Sequence, residues 1–163
     1  MSDIVNVFIE ISKNSNIKYE YDKELKSLIC DRVLHTPFRY EFNYGFIPDT
    51  LSQDGDALDA VVLMDESLIP GCYIKSKIIG CLETSDEKGI DPKLILVPTD
   101  KIDPNSININ DISDISDHNL KKIKYFYQHY KDLENKIVEV GNFLNKEDSI
   151  KIYNDSITFY RKL

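Results

Sequence analysis

The fold class follows from a stretch that contains three β-branched isoleucines and alternates apolar and polar side chains, 73-YIKSKIIGCL-82, shortly after Pro70 and Gly71. Alternation with a period of two predicts a β-strand, and a Pro-Gly pair is typical of a turn. Continuous apolar runs at residues 60–64 and 94–97 predict two further strands that are fully buried. The centre of the chain is therefore predicted to be a group of short strands.

Further strands are predicted on both sides of this centre, at 5–11, 17–21, 27–34 and 137–140, with a loop or short strand at 42–48. Two helices are also predicted. The first starts at residue 116 or 117, and the second spans about 146–162. The 137–140 strand is expected to end at Gly141. Each helix has an apolar stripe with a spacing of three and four. The stripes are Leu120, Ile123, Tyr127 and Tyr130, and then Ile150, Tyr153, Ile157 and Tyr160. Residues 103–117, which are acidic and polar, are predicted to form a surface loop.

Strands at this spacing favour a barrel over alternating β-α-β units. The sequence thus predicts an α+β fold: a small, closed or nearly closed, mainly antiparallel, OB-like β-barrel with two packed α-helices. A length of 163 residues fits one domain spanning 1–163. Phe126 and Tyr127 fit a core position or a subunit interface equally well.

The charge balance narrows the classes of partner. Twenty-eight acidic against 20 basic residues give a net charge of −8, which disfavours nucleic acid and anionic membranes as partners. An anionic substrate stays possible, because bound cations can invert the local field. No apolar run approaches the roughly 20 residues of a membrane span. The start of the chain lacks a basic, then apolar, secretory signal, so a cytoplasmic location is expected.

The chain has three cysteines, Cys30, Cys72 and Cys81, without a CxxC pair. Each lies in an apolar, strand-like stretch, where free cysteine behaves as a small hydrophobic residue. All three are therefore predicted to be buried thiols, with neither a disulfide framework nor a zinc site.

The densest group of chemically active residues is 54-DGDALD-59, which carries three carboxylates within six positions. Carboxylates packed together repel one another unless cations compensate them, and magnesium prefers such oxygen ligands. An EF-hand calcium loop is excluded, because Asp59 stands where that loop needs glycine. A solvated acidic turn remains the alternative for this segment alone.

A second segment, 86-DEKGIDPK-93, again brings two aspartates and a lysine to the junction of two strands. Loop ends of a small barrel can share one rim, so the pooled aspartates suggest a multi-metal centre: Asp54, Asp56, Asp59, Asp86 and Asp91. Basic and phenolic groups at similar junctions offer what a phosphate needs. They are Lys18 beside Glu20, Arg32 after Asp31, Tyr40, Tyr44, Tyr130 and Lys131.

At these residues the chain is similar to the bacterial-type family I soluble inorganic pyrophosphatases, along nearly its whole length. The resemblance rests on the D-G-D-x-x-D motif at 54–59, on 43-NYGFIP-48, on 17-IKYE-20 with Asp31-Arg32, on 86–93 and on 129-HYKDLE-134. Ala57, Glu41 and Ser12 stand where the family usually has proline, and Asn142-Phe143 occupies the region of a common tryptophan. These departures affect loop rigidity rather than a residue assigned to the chemistry.

The resemblance implies a role for each site residue. Asp54, Asp59 and Asp91 would hold two metal ions beside the nucleophile, while Asp86 and Asp91, with Glu20 through water, would hold further ions and Glu10 would support them. Asp56 would be the general base, with Tyr44 orienting it. Substrate phosphates would be bound by Lys18, Arg32, Tyr40, Lys93, Tyr130 and Lys131. The resemblance also implies several Mg²⁺ ions, with Mn²⁺ or Zn²⁺ as substitutes, pyrophosphate as the substrate and a homo-oligomer, usually a hexamer.

Two rival functions stay open. Another Mg²⁺-dependent phosphohydrolase could use the same cluster on nucleotides or phosphomonoesters, although no long insertion offers a nucleobase site. A non-catalytic OB-like module could stack oligonucleotides on Tyr and Phe side chains. The net charge of −8 argues against the second rival, and the lysines at 121, 122 and 124 are expected to form a solvated helix face. His35, His118 and His129 lack the spacing of metal ligands.

Overall fold

The computed structural model describes residues 3–163. The strands in this part of the chain are β1 (Ile4–Ile11), β2 (Ile17–Asp22), β3 (Ser27–Val33), β4 (Asn43–Ile47), β5 (Leu58–Val62), β6 (Tyr73–Asp86), β7 (Gly89–Ile90), β8 (Lys93–Pro98) and β9 (Glu139–Leu144). The α-helices are α1 (Asp117–His129) and α2 (Lys146–Arg161). Short 3₁₀-helices lie at Pro104–Ser106, Ile112–Asp114 and Asp132–Glu134.

Five strands form a ring in the order β1-β4-β5-β8-β6, which is closed by pairing of β6 with β1. β5 and β8 run parallel, and the other neighbours in the ring are antiparallel. The far end of β6 also pairs with β7 and β9, while β2 and β3 form a separate hairpin. This ring with two helices confirms the small, mainly antiparallel barrel predicted from the sequence.

Side chains of the ring strands alternate between two apolar clusters. On β5, Leu58 and Ala60 belong to one cluster, against which Ile150 and Tyr153 of α2 pack. Val61 points to the other face of β5, where it joins a cluster that includes α1. Because Asp59 and Val61 are two residues apart, Asp59 lies on the same face as α1, at the edge of that second cluster.

Close contact between β1 and β4 depends on Gly45. A β-carbon at this position would lie 1.7 Å from the carbonyl oxygen of Phe8. Only a residue without a side chain allows the two backbones to approach this closely. Gly45 therefore allows β4, which carries the neighbouring Tyr44, to lie close against β1.

Several predicted boundaries shift. The strand expected from residue 60 starts at Leu58, so Asp59 lies within β5 rather than in the preceding turn. β9 continues past Gly141 to Leu144, because it stays paired with β6 and Gly141 packs against Glu83. β6 extends to Asp86. The segment 103–117 is not a simple surface loop, since it contains two of the 3₁₀-helices and buries Ser106.

The structure confirms some of the predictions of burial and shows that others are wrong. Phe126 and Tyr127 lie in the core, with Ile123 and Tyr130. Cys81 is buried and Cys72 is half-buried, but Cys30 is exposed, because β2 and β3 form a two-stranded hairpin outside the ring. Tyr160 is also exposed, since the last turn of α2 extends beyond the sheet contact made by Ile150 and Tyr153. Within residues 3–163, no helix has the length and apolar character needed to cross a membrane.

Candidate active site

The centre of the site is the pairing of β5 with β8, which places Asp59 and Lys93 opposite each other. Lys93 Nζ lies 2.7 Å from Asp59 Oδ2 and 2.7 Å from Asp91 Oδ2, and it donates to the hydroxyl of Tyr44 at 3.3 Å. Lys93 is only 5 % exposed. The buried ammonium group thus bridges two carboxylates that are predicted to bind metal.

The carboxylates exceed the positive charge available to them. Burial raises the pKa of Asp59 to about 8, although Lys93 opposes the rise. Burial also acts to raise the pKa of Asp91, but the charge of Lys93 and hydrogen bonds with Asp59, Lys93 and Asp54 lower it overall. Lys93 itself has a pKa well above its usual value, because these anions outweigh its burial. Such an imbalance favours a shared proton or a further cation.

The third carboxylate, Asp54, reaches Asp91 from the turn before β5. Gly55 adopts the left-handed region at φ +89°, and the backbone N–H of Asp56 donates to Asp54 Oδ1 at 3.0 Å. Burial, with help from Asp91 and Asp56, raises the pKa of Asp54. Asp56 is exposed and Asp54 is half-buried, so the two carboxylates of the turn differ in their access to solvent.

Asp54, Asp59 and Asp91 are suited to a hard cation, because they offer oxygen atoms and an uncompensated negative charge. Within residues 3–163, no group of three or more His, Cys, Asp or Glu side chains is arranged to hold a metal ion by itself. Magnesium is usually bound by one or two carboxylates, several waters and the phosphates of a substrate. The residues present therefore fit magnesium as part of a metal–phosphate assembly and not as a closed protein cage.

Positive side chains lie on the β2–β3 hairpin, where Lys18 and Arg32 are register partners. Lys18 Nζ contacts Glu20 and lies 3.8 Å from Asp31 Oδ2, and Arg32 bonds to the same Asp31 oxygen. On its other side, Arg32 Nε lies 2.9 Å from Glu134 Oε1. Burial alone would lower the pKa of Arg32, but these two acids raise it.

Lys131 and Asp86 form a second junction. Lys131 Nζ lies 3.9 Å from Asp86 Oδ2 and 5.5 Å from the centre of the Tyr130 ring. Burial lowers the pKa of Lys131 even though Asp86 and Glu87 oppose the shift. The structure therefore pairs Asp86 directly with a cation that is predicted to bind phosphate.

A wall of buried phenols backs the site. It consists of Tyr40, Tyr44, Tyr127 and Tyr130, each no more than 8 % exposed. Burial raises the pKa of all four, so their hydroxyl groups remain neutral hydrogen-bond donors. The hydroxyl of Tyr44 meets Lys93, and no hydrogen bond between Tyr44 and Asp56 is found in residues 3–163.

Glu10 lies beside the hairpin, where it accepts a 2.8 Å hydrogen bond from the backbone N–H of Tyr21. Burial raises its pKa to about 7, against the hydrogen bond from Tyr21 and the charge of Lys18. A carboxyl group with this pKa can gain or lose a proton near neutrality.

Two residues at the site were missed from the sequence. The centre of the Tyr127 ring lies 5.5 Å from Lys93 Nζ and that of the Tyr44 ring lies 5.6 Å from it, so Lys93 contacts two aromatic rings. Glu134 binds Arg32. The stripe of α1 shows that Tyr127 is buried but not what it faces, and Glu134 carries no signal apart from its place in the 129–134 motif.

A cleft of about 460 Å³ lies elsewhere, lined among others by Leu63, Val97, Ile109 and Ile123. None of the aspartates of the cluster lines it. A small, highly charged substrate is recognised by converging charges, so the cluster around Lys93 is a stronger candidate than this cleft.

Comparison with known proteins finds similarity to inorganic pyrophosphatases. The family model "Inorganic pyrophosphatase" matches residues 7–161. An inorganic pyrophosphatase of Helicobacter pylori is 50 % identical over 161 residues, covering 98 % of this chain and 93 % of the relative. One from Nanoarchaeum equitans is 49 % identical over 160 residues, covering 97 % and 98 %.

The fold comparison agrees. A solved structure of the Helicobacter pylori inorganic pyrophosphatase superposes with a TM-score of 0.95 at 51 % identity, covering 98 % of this chain and 94 % of that one. This likeness confirms the predicted OB-like fold class. The chain therefore belongs to the inorganic pyrophosphatase family.

Proposed function

We propose that the chain hydrolyses inorganic pyrophosphate to two orthophosphates with several Mg²⁺ ions held at the aspartate cluster and with Asp56 as the general base. Pyrophosphate hydrolysis follows from membership of the family, whose members depend on metal ions in general. The choice of magnesium and the roles of individual residues go beyond family membership. The observation that carries it is the buried excess of carboxylate charge around Lys93.

Asp54, Asp59 and Asp91 would hold the metal ions nearest the attacking water, and Asp86 and Glu20 would reach further ions at the rim. Mn²⁺ or Zn²⁺ would substitute, because they accept the same carboxylate oxygens. When bound, the ions would neutralise the phosphates and lower the pKa of the attacking water. Glu10 would support the site from behind the β2–β3 hairpin, through its bond to Tyr21.

The cations of the chain would bind the substrate from two sides. Lys18 and Arg32 already share one carboxylate oxygen, on Asp31, which suits them to share a phosphate oxygen instead. Lys131, beside Tyr130, would approach from the end of α1. Tyr40 and Tyr44 would contribute neutral phenol donors, and Lys93 would keep Asp59 and Asp91 in place while facing the metal–phosphate assembly.

Asp56 would accept the proton from the attacking water. Its carboxylate is exposed at the end of the turn, whereas Asp54 in the same turn faces the cluster. The turn is held by backbone bonds, from Ser52 N to Asp56 O at 2.7 Å and from Gly55 N to Ser52 O at 3.1 Å. These bonds position Asp56 without occupying its side chain, which leaves that side chain available as a base.

Location, assembly and partners are proposed on the same grounds. We propose a cytoplasmic enzyme of one domain that assembles as a homo-oligomer, a hexamer by resemblance to the family. It would have no nucleic-acid or membrane partner, in keeping with the net charge of −8.

The test is phosphate release from pyrophosphate, ATP and p-nitrophenyl phosphate, each with Mg²⁺ and with EDTA. The proposal expects rapid release from pyrophosphate alone, abolished by EDTA and restored by Mg²⁺. Comparable rates with ATP or the phosphomonoester would support the broader phosphohydrolase. Well-folded protein without hydrolysis would contradict the enzyme reading, and salt-sensitive binding of single-stranded DNA would then support the binding module.

A further inference from the structure

The buried carboxylate of Glu134 lies next to the site without belonging to the aspartate cluster. Glu134 ends the 3₁₀-helix Asp132–Glu134, and its side chain is only 7 % exposed. Oε1 lies 2.9 Å from Arg32 Nε, and within residues 3–163 its other oxygen has no hydrogen-bond partner. The carboxylate therefore depends on Arg32 for compensation of its charge.

We propose that Glu134 is a positioning residue that holds the guanidinium group of Arg32 by its Nε edge and turns the terminal nitrogens toward the phosphate of the substrate. The inference rests on the proposed role of Arg32 in substrate binding and adds a residue to which no role has been assigned.

The two acids that contact Arg32 differ in a way that separates their roles. Asp31 is 33 % exposed and meets the terminal nitrogen Nη1, whereas Glu134 is almost enclosed and meets Nε. A guanidinium group presents donors along several edges, so one edge can be fixed while another binds an anion. Asp31 is thus the contact that a phosphate can replace, and Glu134 is the contact that persists.

Stability alone does not account for the pair. Among the described residues 3–163, the Nε–H bond of Arg32 is not aligned for a regular hydrogen bond despite the short N···O distance, and Glu134 Oε2 has no hydrogen-bond partner. A buried ion pair with incomplete hydrogen bonding contributes little compared with apolar side chains of the same volume. Its clearer consequence is that the charge of Glu134 keeps the Nε edge of the guanidinium group 2.9 Å from its carboxylate.

The backbone also links Glu134 to the second phosphate-binding group. Glu134 N donates to Lys131 O at 2.9 Å, and Asn135 then adopts the left-handed region at φ 56°. One tight turn therefore places Lys131 near Asp86 and Glu134 against Arg32. A phosphate held between Lys131 and Arg32 would meet two cations whose spacing this turn sets.

The experiment compares Glu134→Gln, which keeps the shape and removes the charge, with Asp132→Asn. Asp132 is on the same turn but is exposed and pairs with His129. We expect Glu134→Gln to raise KM for pyrophosphate about tenfold, the order of one short contact between charged groups, while kcat changes less than about twofold. Asp132→Asn should leave both unchanged. Glu134→Asp, which keeps the charge but shortens the reach, should give an intermediate KM.

Coupling to Arg32 distinguishes positioning from a structural role. Lysine has no Nε–H edge, so Glu134→Gln should raise KM much less in an Arg32→Lys background than in the wild type. Additive effects in the double variant would overturn the inference, as would a Glu134→Gln variant that loses kcat and melting temperature at unchanged KM. Calorimetric binding of orthophosphate with Mg²⁺, expected to weaken in parallel with KM, gives the same comparison without turnover.

The outcomes also separate this inference from the proposed function. If Arg32→Lys raises KM and Glu134→Gln does not, only the role of Glu134 fails. If Arg32→Lys changes neither KM nor orthophosphate binding, the role of Arg32 in substrate binding fails, and the inference fails with it.

Discussion

Asp59 and Lys93 face each other across the parallel strands β5 and β8, and their charged groups are 2.7 Å apart. Asp91, two residues before Lys93, contacts the same ammonium group at the same distance. One buried ammonium group thus holds two carboxylates in place. The excess negative charge is what suits this place to divalent cations.

Replacement of Lys93 by methionine should destabilise the metal-free protein. Asp59 and Asp91 would be left without their buried partner, and loss of one member of such a pair typically costs about 3–5 kcal/mol. Urea unfolding in EDTA measures the loss, and saturating Mg²⁺ should recover part of it. Lys122→Met is the control, because Lys122 pairs with Glu41 at the exposed surface at 3.5 Å, a contact worth about 0–1 kcal/mol. Equal stability of the two variants would contradict the account.

Gly45→Ala should disrupt the ring between β1 and β4. The new methyl group would lie 1.7 Å from Phe8 O, and a backbone carbonyl within a sheet cannot move aside cheaply. The free energy of unfolding should fall by about 3 kcal/mol or more, the upper range for overpacking. Gly141→Ala provides the comparison, since its methyl group would meet Glu83 Cβ at 3.2 Å. If both variants unfold at the same urea concentration, the close approach does not exist in solution.

Glu10 should give the metal-free protein a specific pH dependence. Its pKa rises from 4.5 to about 7 on folding, so the folded protein holds the proton more tightly than the unfolded chain. Relative to Glu10→Gln, the wild type should therefore lose stability as pH rises from 4.5 to 7, by at most about 1.4 kcal/mol per pH unit. The difference should be constant below and above this window. Urea titrations in EDTA between pH 4 and pH 8.5 test it, and a difference that grows with pH contradicts it.

Calcium should bind and inhibit. The carboxylates accept either ion, but calcium takes a larger and looser coordination shell than magnesium, which would displace the attacking water from Asp56. Addition of Ca²⁺ to the magnesium-loaded enzyme should reduce phosphate release, and Ca²⁺ alone should not restore activity after EDTA treatment. Full activity in Ca²⁺ alone would show that the geometry of the metal shell does not matter.

Much of the fold could be predicted because several of its strands have a recognisable pattern in their own local sequence. The alternation over 73–82 and the apolar run at 94–97 lie within strands of the ring, and the run at 60–64 overlaps β5, which ends at Val62. Prediction failed where tertiary pairing decides. Gly141 was expected to end a strand, since glycine weakens strands, but pairing with β6 carries β9 past it.

The residues of the candidate site likewise fall into those that the sequence predicts and those that it does not. The aspartates of 54–59 and 86–91 could be found because carboxylates close together in the sequence repel one another unless cations compensate them. Glu134 and Tyr127 could not, because their significance depends on Arg32 and Lys93, which the fold brings to them from distant segments. The position of Asp59 within β5 likewise depends on its two neighbouring strands and not on the motif.

The variant Asp56→Asn tests most directly whether Asp56 accepts the proton at a metal-loaded aspartate cluster. The variant keeps the backbone bonds of the turn and should retain the fold and metal binding, with Asp65→Asn at an exposed position away from the cluster as the control. We expect kcat for pyrophosphate with Mg²⁺ to fall by about 10²–10⁴, the contribution of a general base, while the control stays at the wild-type rate. A kcat for Asp56→Asn within a few-fold of the wild type would contradict it.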